Sequence, residues 1–550
     1  MGTHEAAESG RLRTVAVGYV YVFGTLFHYD NAGRMDYKVD RKGDRVDYTY
    51  TPAGKPQTAT YPGGSTVSYT YDTVGRLGAM QDLIGTTTYT YDAASRLAAV
   101  TDPHGFIVSY TYDGVGNVTA LTYPGNKKVY YTYDKLNRLK TVTIDWLTKT
   151  ATYAYDPAGR LTSLQNFNGA ITTYTHDRAN RLTDLETRKS DTSAIAIYHF
   201  TLDLGGNRIQ VDQTEPLSLN LNQISIPYTY NKNRVTSAGT DTFGFDLEGQ
   251  ISNKNTDTYT FDYEHRLKTI SGSLSAQFSY DGKGNRLQAV RNSTTTRYIY
   301  DANGNLLAEA DASNAITSYY IHGTGLLAMV TSSGVLYCYH FDPIGSTIAL
   351  TDQTQTMVNK YRYTPFGIIS NELEAISQPF KYIGQYGVMT ETNGFYYMRA
   401  RYYDPNHGRF ISEDPIGFEG GDVNLYEYAK SNPILYTDPS GLTVKLCYSP
   451  LESWLAKVGG QHVSIKANCG IWGFYPKDES VLNTGWGPGL VQDDSKRRDL
   501  SCIDTMMTKC IDEECVCRRI RKSVSNPPSY GIMFYNCHSW AREIISACQR

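Results

Sequence analysis

Two carboxylates and one thiol are the residues of this chain best placed, by type and spacing, to do chemistry. Asp414 and Asp438 each open an Asp-Pro-x-Gly tetrapeptide, Asp414-Pro415-Ile416-Gly417 and Asp438-Pro439-Ser440-Gly441. Two carboxylates held close together cannot both ionise comfortably; one keeps its proton and can polarise a carbonyl while the other activates water. The same tetrapeptide is also a favourable turn, because Asp accepts a backbone hydrogen bond at its start and Gly tolerates positive φ at its end. Spacing by itself leaves turn and acid pair both open. The thiol is Cys537, in Tyr535-Asn536-Cys537-His538-Ser539-Trp540. Trp540, Ala541, Ile544, Ile545 and Cys548 share one face at helical spacing, and Asn536 is a good N-cap, so Cys537 is expected in the first helical turn. Unpaired N–H groups and the helix dipole would stabilise its thiolate there, and a nearby imidazole would complete a Cys–His pair for attack on a carbonyl. His462, at the start of the short apolar strand expected over Val463-Ser464-Ile465, is the expected base. His538 is the alternative, but its position next to Cys537 points it off that side of a helix. An inert core thiol and a strand-capping histidine are the competing readings.

The elements that must position these residues are set by a repeat. Tyr29-Asp30, Tyr71-Asp72, Tyr91-Asp92, Tyr112-Asp113, Tyr133-Asp134 and Tyr155-Asp156, with degenerate copies at Tyr50-Thr51 and His176-Asp177, recur every 20 to 22 residues. Each unit has an alternating stretch such as Thr87-Thr88-Tyr89-Thr90-Tyr91, then a turn, then Arg-Leu, as in Ser95-Arg96-Leu97. Period-two alternation makes a strand with two unlike faces. Asp followed by x-x-Gly or x-x-Asn makes the turn, Arg can cap it or pair with a carboxylate, and Leu starts the return strand. One hairpin buries too little to stand alone, so each is expected to extend its neighbour's sheet. The pattern loosens between Thr187 and Pro216 and resumes through Phe261-Asp262, Tyr280-Asp281, Tyr300-Asp301 and Phe341-Asp342. The predicted class is mainly β, and the apolar run Thr14–Phe27, too short to cross a bilayer and broken by glycines, is expected to be a strand pair at the start of the sheet.

Composition bounds the rest. The chain has 550 residues, 40% of them hydrophobic, and 47 Tyr against 17 Phe, which suits strands with one half-wet face. A net charge of −3 gives no reason to expect nucleic-acid binding by the whole chain. The balance is uneven: residues 443–550 carry 14 Lys+Arg against 11 Asp+Glu. Of the 9 cysteines only Cys338 precedes residue 443, so the repeats do not rely on disulfides. Cys510, Cys515 and Cys517 with Cys502 lack the paired Cys-x₂-Cys spacing of common structural zinc sites, so no metal or other cofactor is expected.

From Gly394 to Leu442 the chain resembles the Rhs/YD-repeat family. The residues that carry the likeness are Arg399-Ala400-Arg401-Tyr402-Tyr403-Asp404-Pro405, Gly408-Arg409-Phe410, Glu413-Asp414-Pro415-Ile416-Gly417, Asn432-Pro433 and Asp438-Pro439-Ser440-Gly441-Leu442, all in family order. The resemblance covers most of residues 28–442. It implies a β-sheet spiralling into a hollow cocoon (1–375), a plug and processing region (376–442), and a small enclosed α+β toxin domain (443–550). It further implies self-cleavage of Leu442–Thr443 by Asp414 and Asp438, with Arg401 or Arg409 orienting the pair. Family members commonly carry delivery modules before the repeats; here the repeats begin almost at once, so the chain reads as a fragment or a short form. In the tail, His first and Asn-Cys later is similar to the permuted papain-like group, NlpC/P60 and lecithin:retinol acyltransferase-like enzymes. That likeness implies acyl transfer or hydrolysis through a thioester at Cys537 with His462 as base, Asn536 capping the helix and Asn468 a candidate third member. A nuclease or nucleotide-modifying tail, and a non-enzymatic surface or adhesion protein, are the rival readings. Expected partners are the chain's own tail as cargo, an immunity protein, a secretion component that delivers it out of the producing cell, and a protein, peptidoglycan or lipid target.

Overall fold

The computed structural model describes residues 24–220 and 226–446, the strand segments Arg13–Thr14 and Tyr19–Val22 before them, and four strands beyond. Two units divide at Cys447/Tyr448. In the second, the described backbone is an antiparallel set, Ser464–Ala467, Gly470–Pro476, Trp486–Asp493 and Ser529–Gly531.

The first unit is two long antiparallel meanders, a 20-stranded sheet from Arg13 to Thr214 and a 16-stranded one from Tyr228 to Glu374. Each strand pairs with the next in sequence, as the repeat predicts. The expected pair over Thr14–Phe27 is there: Arg13–Thr14, Tyr19–Val22 and Thr25–Tyr29 pair in order.

One repeat explains the rest. Strand Thr86–Tyr91 ends at Asp92, and Ser95 N–H closes the turn on Asp92 O at 3.0 Å. Asp92 Oδ1 accepts from the Ala94 and Arg96 N–H groups at 2.9 and 2.8 Å, and Oδ2 from Arg96 Nε at 2.7 Å. Ser95 sits at φ 63°, the left-handed position where other repeats place Gly75, Asn137 or Gly159, and the ladder shifts by one residue beside it. That is a type I turn followed by a bulge, which favours residues tolerant of positive φ.

Arg96 also reaches forward. Its Nη1 donates to Asp113 O at 2.7 Å, and its guanidinium lies 4.6 Å from the Tyr112 ring centroid. Tyr112 Oη reaches back to Leu97 O at 2.7 Å. The same back-bond recurs from Tyr50, Tyr71, Tyr91, Tyr133 and Tyr155. The Tyr, Asp and Arg of the motif thus each hold a separate part of the joint between hairpins.

The two sheets differ in burial. First-sheet strands alternate, as Thr66–Tyr71 does, whereas Leu326–Thr331 and Thr347–Thr351 are buried on both faces. One side of the second sheet packs on the first, through Val129, Val142 and Ile144 against Leu307, Val330 and Leu336. The free thiol of Cys338 lies in that layer, and burial pushes it up to about 12, so it is inert core. The other side packs on residues 380–429, where Tyr382, Tyr396, Tyr403 and Tyr428 interleave with centroids 4.3 to 6.5 Å apart.

Candidate active site

The site is built on a hairpin in the four-stranded sheet that follows the second meander. Strands Tyr396–Met398 and Arg401–Asp404 pair around Arg399 and Ala400, and all four residues of the second strand are buried. The segment 438–443 crosses the hairpin tip: Ala400 N–H donates to Ser440 O at 3.1 Å. Gly441 has to be glycine here. Its φ is +67°, and a Cβ would stand 2.6 Å from Met398 O.

Both Asp-Pro-x-Gly segments form turns, Gly417 N–H to Asp414 O at 2.9 Å and Gly441 N–H to Asp438 O at 3.3 Å. Forming these turns does not keep the two carboxylates apart, since both reach Arg401. Each aspartate uses Oδ1 for local amides and presents Oδ2 to one guanidinium. Asp414 Oδ1 accepts from Ile416 N–H at 3.0 Å. Asp438 Oδ1 accepts from Ser440 Oγ at 2.9 Å and from the N–H groups of Leu442 and Thr443, both at 3.1 Å. Arg401 Nη2 lies 3.0 Å from Asp414 Oδ2 and 3.4 Å from Asp438 Oδ2. The three side chains are 8%, 2% and 3% exposed for Asp414, Asp438 and Arg401, so their charges interact with little screening.

Arg401 is fixed from every side. Nη1 donates to Leu425 O at 2.9 Å, Nε donates to Gly441 O, and the guanidinium stacks 3.5 Å from the Phe410 centroid. Burial pulls its proton affinity down, and Asp414 and Asp438 oppose that. Burial also pushes the Asp414 carboxyl up to about 6, with Arg401 opposing. A group poised there can hold a proton near neutrality and release it.

Of the two arginines expected to orient the pair, only Arg401 touches it. Arg409 is a correction: its strand faces the start of the second sheet. Its Nη1 donates to Asn233 O at 3.4 Å, and its guanidinium lies 5.6 Å from the Tyr230 centroid. Sequence reasoning missed Gly420. A Cβ there would stand 2.5 Å from Asp414 Oδ2 and 3.3 Å from Leu442 O, so its missing side chain leaves acid and carbonyl facing one gap. The Gly420-Gly421 pair was the available signal. Cys537, His462, His538, Asn468 and Asn536 lie outside the described residues.

Comparison with known proteins places this fold. A family model described as the teneurin YD-shell matches residues 145–434, and an RHS repeat model matches 84–107 and 91–128. The first match alone covers more than half of the chain. The chain belongs to the teneurin YD-shell family.

Relatives of this YD shell include proteins named as toxins. It is 34% identical over 118 residues to double-stranded DNA deaminase toxin A of Burkholderia cenocepacia, covering 20% of this chain and 8% of that protein. It is 37% identical over 109 residues to toxin protein Tse5 of Pseudomonas aeruginosa, with the same two shares. A match to the tRNA nuclease WapA of Bacillus subtilis is 37% identical over 111 residues and covers 18% of this chain and 4% of that one. The YD shell thus spans under a tenth of each of these curated relatives. In fold it is similar to a crystal structure of TcdB2-TccC3, with a TM-score of 0.62 at 16% identity over 77% of this chain and 28% of that one. Among the described residues no helix is long and apolar enough to cross a membrane.

Proposed function

We propose that this YD-shell protein encloses its own C-terminal segment and cuts itself between Leu442 and Thr443, freeing residues 443–550 as a toxin. The observation that carries the reading is the seating of that bond: both flanking amides donate to Asp438, and the Leu442 carbonyl shares the Gly420 gap with Asp414. Asp414 gives its proton to the Leu442 carbonyl oxygen as water adds to the carbon. Asp438 takes the proton of that water and passes it to the Thr443 nitrogen, 3.1 Å away, as the C–N bond breaks. The proton on the former carbonyl oxygen returns to Asp414, leaving a carboxyl end at Leu442 and an amino end at Thr443. Arg401 holds the carboxylates at a fixed separation throughout.

This assignment predicts a pH profile. The proton donor is populated below about 6, so the cleavage rate falls roughly tenfold per pH unit above that point. The time course of the fragment beginning at Thr443, followed by mass spectrometry from pH 5 to 8, reads it directly. A rate that climbs across that range would remove Asp414 from the donor role.

The released segment is read as a cysteine enzyme, with Cys537 as nucleophile and His462 as base, acting on a protein, peptidoglycan or lipid acyl group of a competing bacterium or a host cell. What supports this is the helix start that the sequence pattern predicts at Asn536-Cys537, with His462 earlier in the chain. The activities by which these relatives are named, a DNA deaminase and a tRNA nuclease, differ from one another, and they keep a nuclease or nucleotide-modifying tail as the second reading. A toxin must leave the producing cell and spare it, so a secretion component and an immunity protein belong to the same reading, which the toxin relative favours. The deciding experiment is expression of residues 443–550 in bacteria, directed to cytoplasm or periplasm. Growth arrest is expected with the natural sequence, and Cys537→Ala should restore growth at least 100-fold in plating, the scale of losing a nucleophile. Undiminished killing by Cys537→Ala would discard the thioester and favour the second reading.

A further inference from the structure

Glu413, the residue directly before Asp414, is held by three stretches of chain that are far apart in sequence. Its Oε2 lies 2.5 Å from Arg41 Nη2, and its Oε1 lies 3.0 Å from Arg234 Nη2. Tyr426 Oη, which donates to Gly249 O at 2.6 Å, stands 3.3 Å from the same Oε1. Gly249 leaves the space this needs: its φ is +76°, and a Cβ would stand 2.2 Å from Glu413 Oε1.

Arg41 belongs to the turn between strands Met35–Val39 and Arg45–Tyr50, near the start of the first sheet. That turn docks on the turn 246–250 of the second sheet. Arg41 N–H donates to Glu248 Oε1 at 2.5 Å, and Lys42 Nζ pairs with Asp246 Oδ2 at 2.7 Å. Ile251 N–H, just past that turn, donates to Ile411 O at 2.9 Å. The contact from Arg41 to Glu413 spans 372 positions. No local folding of residues 394–443 can supply it.

We propose that the Arg41–Glu413–Arg234 clamp is a positioning device that couples cleavage to closure of the shell: Asp414 reaches its working place only when the first hairpins have docked on the second sheet. The inference rests on the self-cleavage reading and adds to it a condition on when the cut can occur. The chain emerges with Arg41 long before Glu413, yet the acid pair is complete only once both ends of the wall have met. An unclosed shell would therefore keep its tail attached. The clamp acts on Asp414 through one peptide unit, so its loss should shift the acid by a fraction of an ångström to an ångström, a displacement that can cost up to about 100-fold in rate.

The test is a time course of the Thr443 fragment made by the full chain in cell-free translation, for the natural sequence, Asp438→Asn, Arg41→Ala and Arg41→Lys. The natural chain is expected to cut and Asp438→Asn to stay whole, which establishes the reading beneath. Arg41→Ala is then expected to slow the cut at least tenfold, and Arg41→Lys, which keeps a cation, to recover part of it. A second readout separates positioning from simple loss of fold. With the clamp broken, water reaches Asp414, and the alkaline limb of the rate moves below its natural position near 6. Thermal unfolding, measured in the uncut Asp438→Asn background, should show the Arg41→Ala shell still folded. Arg41→Ala cutting at the natural rate, or slowing with an unmoved pH limb and no rescue by Lys, would overturn the clamp while leaving self-cleavage intact. A natural chain that never cuts would overturn both.

Discussion

Asp438→Asn is expected to leave the 550-residue chain whole. Asparagine is nearly isosteric and can keep Oδ1 as the acceptor for the Leu442 and Thr443 N–H groups at 3.1 Å, so the bond stays seated. What disappears is the carboxylate proposed to take a proton from water and half of the negative charge facing Arg401. Losing a positioned base costs about 10²–10⁴-fold in rate. Intact-mass measurement of the purified protein should therefore show one full-length species, where the natural sequence is expected to show a fragment beginning at Thr443. A variant that processes as fast as the natural chain would mean that Asp438 only shapes the turn. Because asparagine can keep both amides seated, a purely structural account predicts an unchanged cut rather than none.

The second large effect is expected away from the site. Glu391 is fully buried between two arginines. Its Oε1 accepts from Arg286 Nη1 and its Oε2 from Arg291 Nε at 2.7 Å. Arg286 is itself 1% exposed, stacks 4.1 Å from the Tyr397 centroid, and donates to Tyr402 Oη at 2.8 Å. The cluster ties strand Arg286–Arg291 of the second meander to the sheet that carries Arg401. Glu391→Ala leaves two largely buried guanidiniums without the carboxylate they share, which costs about 3–5 kcal/mol. Denaturant unfolding in the Asp438→Asn background measures it, and a loss under about 1 kcal/mol would refute the account.

The pH dependence has a definite sign. Burial alone would raise Glu391, but Arg286 and Arg291 hold it down at about 2, from an ordinary 4.5. The unfolded chain therefore binds the proton first. The cluster's contribution is complete above the unfolded value and is lost as pH falls from about 4.5 towards about 2. No loss from this cluster is expected between pH 5 and 8. Glu391→Ala should remove this cluster's share of the acid sensitivity along with its stability.

Much of the wall was legible in the sequence because its logic is local. Asp92, Ser95 and Arg96 sit within five positions, so turn chemistry alone places them. The forward reach of Arg96 to Asp113 O and the backward reach of Tyr112 to Leu97 O were not legible, since both depend on how neighbouring hairpins overlie. In the site, the two aspartates and Arg401 could be nominated from the family motif. Arg409 could not be told from Arg401 by type, and only the register of its strand, Asp404 opposite Arg409, sends it to the other side. Gly420 and Glu413 were invisible for a different reason. The first matters for an atom it lacks, and the second for a partner near the opposite end of the chain.

The tyrosine back-bonds have a consequence for how such walls change length. Each hydroxyl clasps a carbonyl 14 to 16 positions upstream in the units from Tyr50 to Tyr155, so a hairpin's seating along the strand direction is decided by its immediate predecessor. Duplicating one whole unit of the gene would hand the newcomer a ready-made anchor on one side and a ready-made client on the other. Cutting the duplication a few codons short would misalign every clasp after it. Lineages should therefore enlarge or shrink these containers in complete courses, like bricklayers, and never by half a brick.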